Sequence, residues 1–198
     1  MVFNRKKLED IVKNCAHPEK PCIHGLKDAA VALLIGRQSR DNILGILKAD
    51  SIKYVWGNQP ALPGGIVDSG DFSSCDAVKR EVKEELAINN FDIIGSLGHF
   101  MTLKNVCVEV FAGFYDENET IIPLEKEIAK VLYIPVNDLM ETHIEKGLQG
   151  RYPGLNELMY PVEDTVIWGV TARIIHFFLE HIRGLAPEIF QTDLRRVQ

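Results

Sequence analysis

Apolar and polar positions change their period several times along the chain, and each change predicts an element. Phe3, Leu8, Ile11 and Val12 recur at helical spacing behind Asn4, a cap-forming residue, and predict a short amphipathic helix over 3–12. A looser stretch with Pro18 and Pro21 runs from Asn14 to Lys27. Asp28 to Gly36 is then an almost unbroken run of Ala, Val, Leu and Ile closed by glycine, the pattern of a buried strand. Ile43–Leu47 and Ile52–Trp56 predict two more strands. From Ser73 or Ser74, either of which can cap, to Leu86 the period becomes 3.6 and predicts a helix. Strands resume over Phe91–Thr102 and Asn105–Tyr115, close enough for a hairpin, then over Val131–Ile134 and Met159–Val166. Gly169 to Arg183 predicts a last helix, with Gly184 and Pro187 as its stop. Strands interrupted by separated helices predict an α/β (α+β) layered domain with a mixed central β-sheet between helices.

Length and composition narrow the class. A chain of 198 residues with 46% hydrophobic and 25% charged side chains has material for one well-formed core. The net charge of −6, without a run of basic residues, argues against long nucleic acid as a partner. The longest clean apolar stretch, Ala29–Ile35, is far short of the ~20 residues that cross a bilayer, so no membrane partner is expected. The charged start has no apolar signal core, and four cysteines do not make a disulfide framework in a chain of this size; both predict a cytoplasmic protein with reduced thiols.

The chemistry concentrates in the helix over 73–86. At about 100° per residue, Glu81, Glu84 and Glu85 fall within one arc, beside an apolar arc of Cys75, Val78, Val82 and Leu86. Like charges at these spacings repel, so a cation is expected against them. Mg²⁺ suits such a face, because it takes hard oxygen ligands and is commonly shared between a few carboxylates and substrate phosphates. Pro63-Gly64-Gly65 precedes the helix, and its glycines allow a tight turn and close approach of the backbone to a ligand.

The segment from Leu62 to Ile88 resembles the Nudix box, with Gly65 as its opening glycine, Arg80-Glu81-Val82-Lys83-Glu84-Glu85 as its central block and Ile88 as its closing apolar position. Asp71 stands where the first glutamate is usual, eight residues rather than seven separate it from Arg80, and Ala87 replaces a glycine. Leu62-Pro-Gly-Gly-Ile-Val-Asp68-Ser-Gly-Asp71 is similar to the variant box of the coenzyme A pyrophosphatase branch. Asn58–Leu62, Leu34–Arg37 and Val166-Ile-Trp-Gly-Val-Thr-Ala-Arg-Ile174 resemble other stretches of that branch, although Trp56 replaces its usual histidine.

The resemblance implies a Nudix-type α/β/α sandwich. It divides the chain into an N-terminal helix and extension over 1–27, the hydrolase domain over 28–184 and a tail over 185–198. It also implies a Mg²⁺- or Mn²⁺-dependent pyrophosphohydrolase of coenzyme A or its thioesters, releasing 4′-phosphopantetheine and adenosine 3′,5′-bisphosphate. Other nucleoside diphosphate derivatives, such as ADP-ribose or a nucleotide sugar, remain open as substrates, as does a nucleotide-binding module without turnover. Glu81, Glu84 and Glu85 with the Gly64 carbonyl would hold the metal, and Gly64 and Gly65 would also line the substrate site. Arg80 would fix the carboxylate rotamers. A homodimer is one assembly the resemblance allows.

The general base is less legible. Glu127, in a stretch resembling the branch, and Glu109, alone in an apolar strand, are both candidates, with Glu127 favoured. Arg37 and Arg40 are candidates for the substrate's terminal phosphate. Cys15-x-His17 and Cys22-x-His24 carry zinc-type ligands at unconvincing spacing. Cys107 reads as a core residue, Trp168 as packing behind the last helix, and His143, His176 and His181 have no partners at a catalytic spacing.

Overall fold

The structure is a computed structural model and describes residues 4–15, 17–37, 41–50 and 57–185. It opens with helix α1 (Arg5–Asn14), whose cap is Asn4: the side chain accepts the Lys7 amide at 2.9 Å. Strands β1 (Lys27–Arg37), β2 (Asp41–Lys48), β3 (Pro60–Ala61) and β4 (Gly64–Ile66) follow. Next come helix α2 (Ser74–Leu86), strands β5 (Phe91–Met101), β6 (Val106–Tyr115) and β7 (Ile128–Pro135), and helix α3 (Val136–Glu145). A small hairpin, β8 (Tyr160–Val162) and β9 (Thr165–Ile167), leads into helix α4 (Gly169–Leu185).

Seven strands form one mixed sheet in the order β3-β2-β1-β6-β5, with β4 attached to β1 and β7 to β2. β1 runs parallel to β6 along nearly its whole length, while its other edge is divided. Ile35–Arg37 pair with β2, and Ala29–Val31 pair with β4. The division positions the site, because it sets the end of β2 and the glycines of β4 side by side above α2.

Alternate residues of β1 feed two cores, which is why that strand reads as continuously apolar. Ala30, Ala32 and Leu34 face α2, joined by Leu44, Ile46, Val78, Val82 and Leu86. Ala29, Leu33 and Ile35 face the opposite layer, where Leu8 and Ile11 of α1 and Ile175, Phe178 and Leu179 of α4 are buried. Each buried Leu, Ile or Phe removed from water contributes roughly 1.5–3 kcal/mol. The N-terminal helix therefore belongs to the packed body of the molecule.

Three expectations change. Met159–Val166 is not one strand but the β8–β9 hairpin, turned at Glu163 with φ +51°. Helix α4 continues through Gly184 to Leu185, so that glycine does not stop it. Helix α3 has no counterpart in the predicted elements, because one of its inward positions carries His143, which breaks the apolar pattern, and its cap position is Pro135, without a side-chain acceptor. The strand expected over Ile52–Trp56, like Arg40 and Pro187, lies outside the described residues.

Candidate active site

Ser73 caps α2 by accepting the Asp76 amide, and the helix then carries Arg80, Glu81, Glu84 and Glu85 toward the divided edge of β1. Glu85 is the most deeply placed, with its side chain 2% exposed. One of its oxygens accepts the Gly64 amide at 2.8 Å, and the other takes an ion pair from Lys48 at the end of β2. Gly64 has φ +140°, and a Cβ there would lie 2.2 Å from the Ala30 carbonyl oxygen, so the position requires glycine. A Cβ on Gly65 would lie 2.5 Å from the Glu81 carboxylate, so the bare backbone is what admits that side chain.

Arg80 organises the opposite flank. It forks onto Asp71 through Nε and Nη2, both at 3.0 Å, and reaches Glu81 at 2.9 Å, Glu84 at 3.2 Å and the Ile66 carbonyl at 3.2 Å. Asp71 is itself held in a turn, its carboxylate accepting the Asp68 amide at 2.8 Å. The shorter acid and the extra residue before Arg80 are thus compatible with a two-pronged pair. Hydrogen bonds from Arg80 hold the Asp71 carboxyl below its usual range, while burial pushes both Glu81 and Glu85 above theirs.

Glu81 and Glu85 are therefore two desolvated carboxylates, one helical turn apart, beside a glycine turn. Glu84 is brought less close: it points outward, 57% exposed, and meets Arg80. Among the described residues no three His, Cys, Asp or Glu side chains are gathered as a metal-holding group. The donor chemistry still fits Mg²⁺ or Mn²⁺, which use one or two carboxylates and complete their shell with water and phosphate oxygens.

A cleft of about 360 Å³ opens beside this cluster. Gly64 and Gly65 form one wall, the β5–β6 turn at Thr102–Lys104 another, and Trp168, Gly169 and Thr171 at the start of α4 a third. Its lining is mostly apolar, and its cations are Lys48 and Lys104. Trp168, expected behind the helix, instead faces this cleft and is 44% exposed.

The family model for the NUDIX domain matches residues 25–157, more than half of the chain. The chain belongs to the Nudix hydrolases. It is an enzyme of phosphoanhydride hydrolysis, acting on nucleoside diphosphate derivatives. Among its relatives are the Nudix hydrolase NudL of Yersinia pestis (strain Pestoides F) and that of Yersinia pseudotuberculosis (serotype O:1b, strain IP 31758). Each is 27% identical over 158 residues, covering 78% of this chain and 79% of the relative. A MutT/nudix family protein from Enterococcus faecalis has a similar fold, with a TM-score of 0.51 at 15% identity, covering 89% of this chain and 73% of that one.

Within this Nudix hydrolase the remaining candidates separate clearly. The backbone of 122–128 is clasped to the C-terminal end of α2 by Leu124 N to Glu85 O at 2.8 Å and Ile122 N to Leu86 O at 3.0 Å. Ala49 N donates to Glu127 O at 2.8 Å, so the backbone of Glu127 runs beside the end of β2 that carries Lys48. Glu109 is instead at the other end of α2, bonded by the Ser74 hydroxyl and 3.7 Å from His99. Ser74 and Glu85 stand eleven residues apart on the helix, about 16 Å, so Glu109 lies toward the opposite end of α2 from Glu85.

Arg37 is also displaced. It closes β1 six residues beyond Val31, the partner of Gly64, so its backbone is about 20 Å from the glycine turn. The unassigned histidines serve packing: His143 Nδ1 meets the Tyr160 hydroxyl at 3.0 Å and its Nε2 meets Glu180 at 2.7 Å. His176 Nε2 meets the Arg151 carbonyl at 3.0 Å, and His181 Nδ1 meets the Phe177 carbonyl at 2.7 Å. Cys107 is buried and Cys15, Cys22, Cys75 and Cys107 are free thiols. Lys48, 37 residues before Glu85, was not singled out by any sequence signal. Among the described residues no helix is long and apolar enough to cross a membrane.

Proposed function

We propose that this Nudix hydrolase cleaves the diphosphate of coenzyme A or its thioesters, yielding 4′-phosphopantetheine and adenosine 3′,5′-bisphosphate. The observation that carries the reading is the cleft: its walls join the glycine turn at the carboxylates to the Trp168-Gly169 entry of α4, the two stretches that resemble the coenzyme A branch. A mostly apolar cavity of about 360 Å³ suits a substrate with a long, weakly polar arm. Lys104 on the β5–β6 turn takes the place first given to Arg37 as the cation for the terminal phosphate.

Glu81 and Glu85, with Glu84 and the Gly64 carbonyl at the margin, would hold Mg²⁺ or Mn²⁺. When bound, the ion neutralises phosphate charge and makes water a better nucleophile. The chain's own residues do the rest. Arg80 fixes the rotamers of Glu81 and Glu84, the Gly64 amide fixes Glu85, and Glu127, whose backbone adjoins the strand end that carries Lys48, is the residue proposed to take the proton of the attacking water.

The test is a substrate panel of coenzyme A, acetyl-coenzyme A, ADP-ribose and a nucleotide sugar, each with the purified protein and Mg²⁺, products being identified by mass. The reading expects phosphopantetheine from the coenzyme A substrates at the highest kcat/KM. Turnover of ADP-ribose or the sugar with no phosphopantetheine release would replace it with the alternative substrate class.

A further inference from the structure

We propose that Lys48 is a residue with two positions. It neutralises Glu85 while that carboxylate has no other cation, and it turns into the cleft to contact the substrate diphosphate once Glu85 is engaged by a divalent ion. The inference rests on the hydrolase reading above and adds a residue and a motion to it.

Four observations combine. Glu85 is almost fully buried and its second oxygen is already held by the Gly64 amide, so the first oxygen is the site where an incoming cation and the Lys48 ammonium compete. Two cations cannot share one buried oxygen without strong repulsion, because little water screens them there. Lys48 also lines the cleft next to Gly64 and Gly65, and its side chain is 21% exposed, so the ammonium has open space on the substrate side. Finally, Lys48 differs in kind from Arg80. Arg80 is pinned by Asp71, Glu81, Glu84 and the Ile66 carbonyl in fixed planar geometry. Lys48 is a point charge on a flexible four-carbon stem that bonds the Glu85 carboxylate, with Glu81 near enough to feel its charge, and it exchanges a carboxylate for a phosphate without reshaping the site.

The exchange has a consequence for order. Without Lys48 the buried carboxylate would be free for the ion, and metal affinity would rise. The substrate would lose a phosphate contact and bind more weakly.

The experiment compares wild type, Lys48→Gln and Lys48→Arg by Mn²⁺ titration, read from the electron paramagnetic resonance signal of free Mn²⁺, and by steady-state kinetics on coenzyme A with saturating Mg²⁺. Lys48→Gln is expected to bind Mn²⁺ about three- to tenfold more tightly and to raise KM about tenfold with kcat changed less than threefold. Lys48→Arg is expected to keep KM within about threefold of wild type. Unchanged or weaker Mn²⁺ binding by Lys48→Gln, or an unchanged KM, would overturn the proposal. Should Lys48→Gln fail to fold, the wild type suffices: Mg²⁺ must shift the Lys48 ε-methylene resonance, assigned through Lys48→Arg, and an unmoved resonance would also overturn it. A wild type that binds Mn²⁺ but hydrolyses no member of the panel would remove the coenzyme A reading and the second position of Lys48, while the first is still judged by Mn²⁺ affinity.

Discussion

The two ends of α2 each gather acidic side chains next to a cavity, and they differ in what surrounds the acids. At the N-terminal end, Glu109 is satisfied by the Ser74 hydroxyl with His99 nearby, and Lys20 and Asp28 close the rim as a half-exposed ion pair at 2.6 Å. That pocket is small, about 170 Å³. Toward the C-terminal end, Glu81 and Glu85 are desolvated, face a glycine turn whose Gly64 tolerates no side chain, and open onto the larger apolar cleft. Carboxylates alone do not make a reactive site. What distinguishes the second region is that Glu85 is almost wholly buried, which leaves its charge costly, while the glycine backbone leaves room for a ligand to relieve that cost.

The sharpest way to break this contrast is to neutralise one acid at each end. Glu85→Gln is expected to lower kcat by about 10²–10³-fold, and Glu109→Gln to leave it within about threefold, both assayed with Mg²⁺ on the preferred substrate. A comparable loss in both would dissolve the distinction. Asp71→Asn should lower kcat/KM by about tenfold through a misplaced Arg80. It also carries a pH signature. Arg80 lowers the folded-state value of the Asp71 carboxyl, so the stability it lends is present above the ordinary carboxylate value and is lost as pH falls through the lowered one. The stability gap between wild type and Asp71→Asn in urea should therefore be constant from pH 7 to about 5 and shrink toward pH 3.

Smaller effects refine the picture. Trp168→Ala should raise KM about three- to tenfold with little change in kcat, as expected of a ring that lines the substrate cleft without belonging to the carboxylate cluster. Ala87, the cap residue of α2, adopts φ +57°, a left-handed conformation that favours glycine. Ala87→Gly should therefore stabilise the protein by about 0.5–1 kcal/mol, seen as a melting temperature roughly 1–4 °C higher, with activity unchanged.

The part of the site that lies within one stretch of chain was readable from the sequence. Spacing alone gives α2, a serine cap at 73 or 74, its apolar face and the three glutamates, and the departures at Asp71 and Ala87 have structural counterparts in a two-pronged pair and a left-handed cap. What joins distant segments was not readable. Lys48 ends an ordinary half-buried strand, and nothing in its neighbourhood says that β2 leaves β1 to meet Glu85. Arg37 looked suitable because it ends the first core strand, but local pattern does not reveal which end of a strand faces the site. The inward side of α3 was obscured by His143, a polar residue in an apolar position that Tyr160 and Glu180 satisfy from far along the chain.

Mn²⁺ binding in the absence of substrate tests the central claim most directly, because it asks which acids hold the ion without requiring turnover. The account predicts that Glu81→Gln and Glu85→Gln each weaken Mn²⁺ binding by about 10–100-fold, while Glu109→Gln binds as wild type does. Mn²⁺ affinity that survives both α2 changes, or that falls with Glu109→Gln instead, would contradict it.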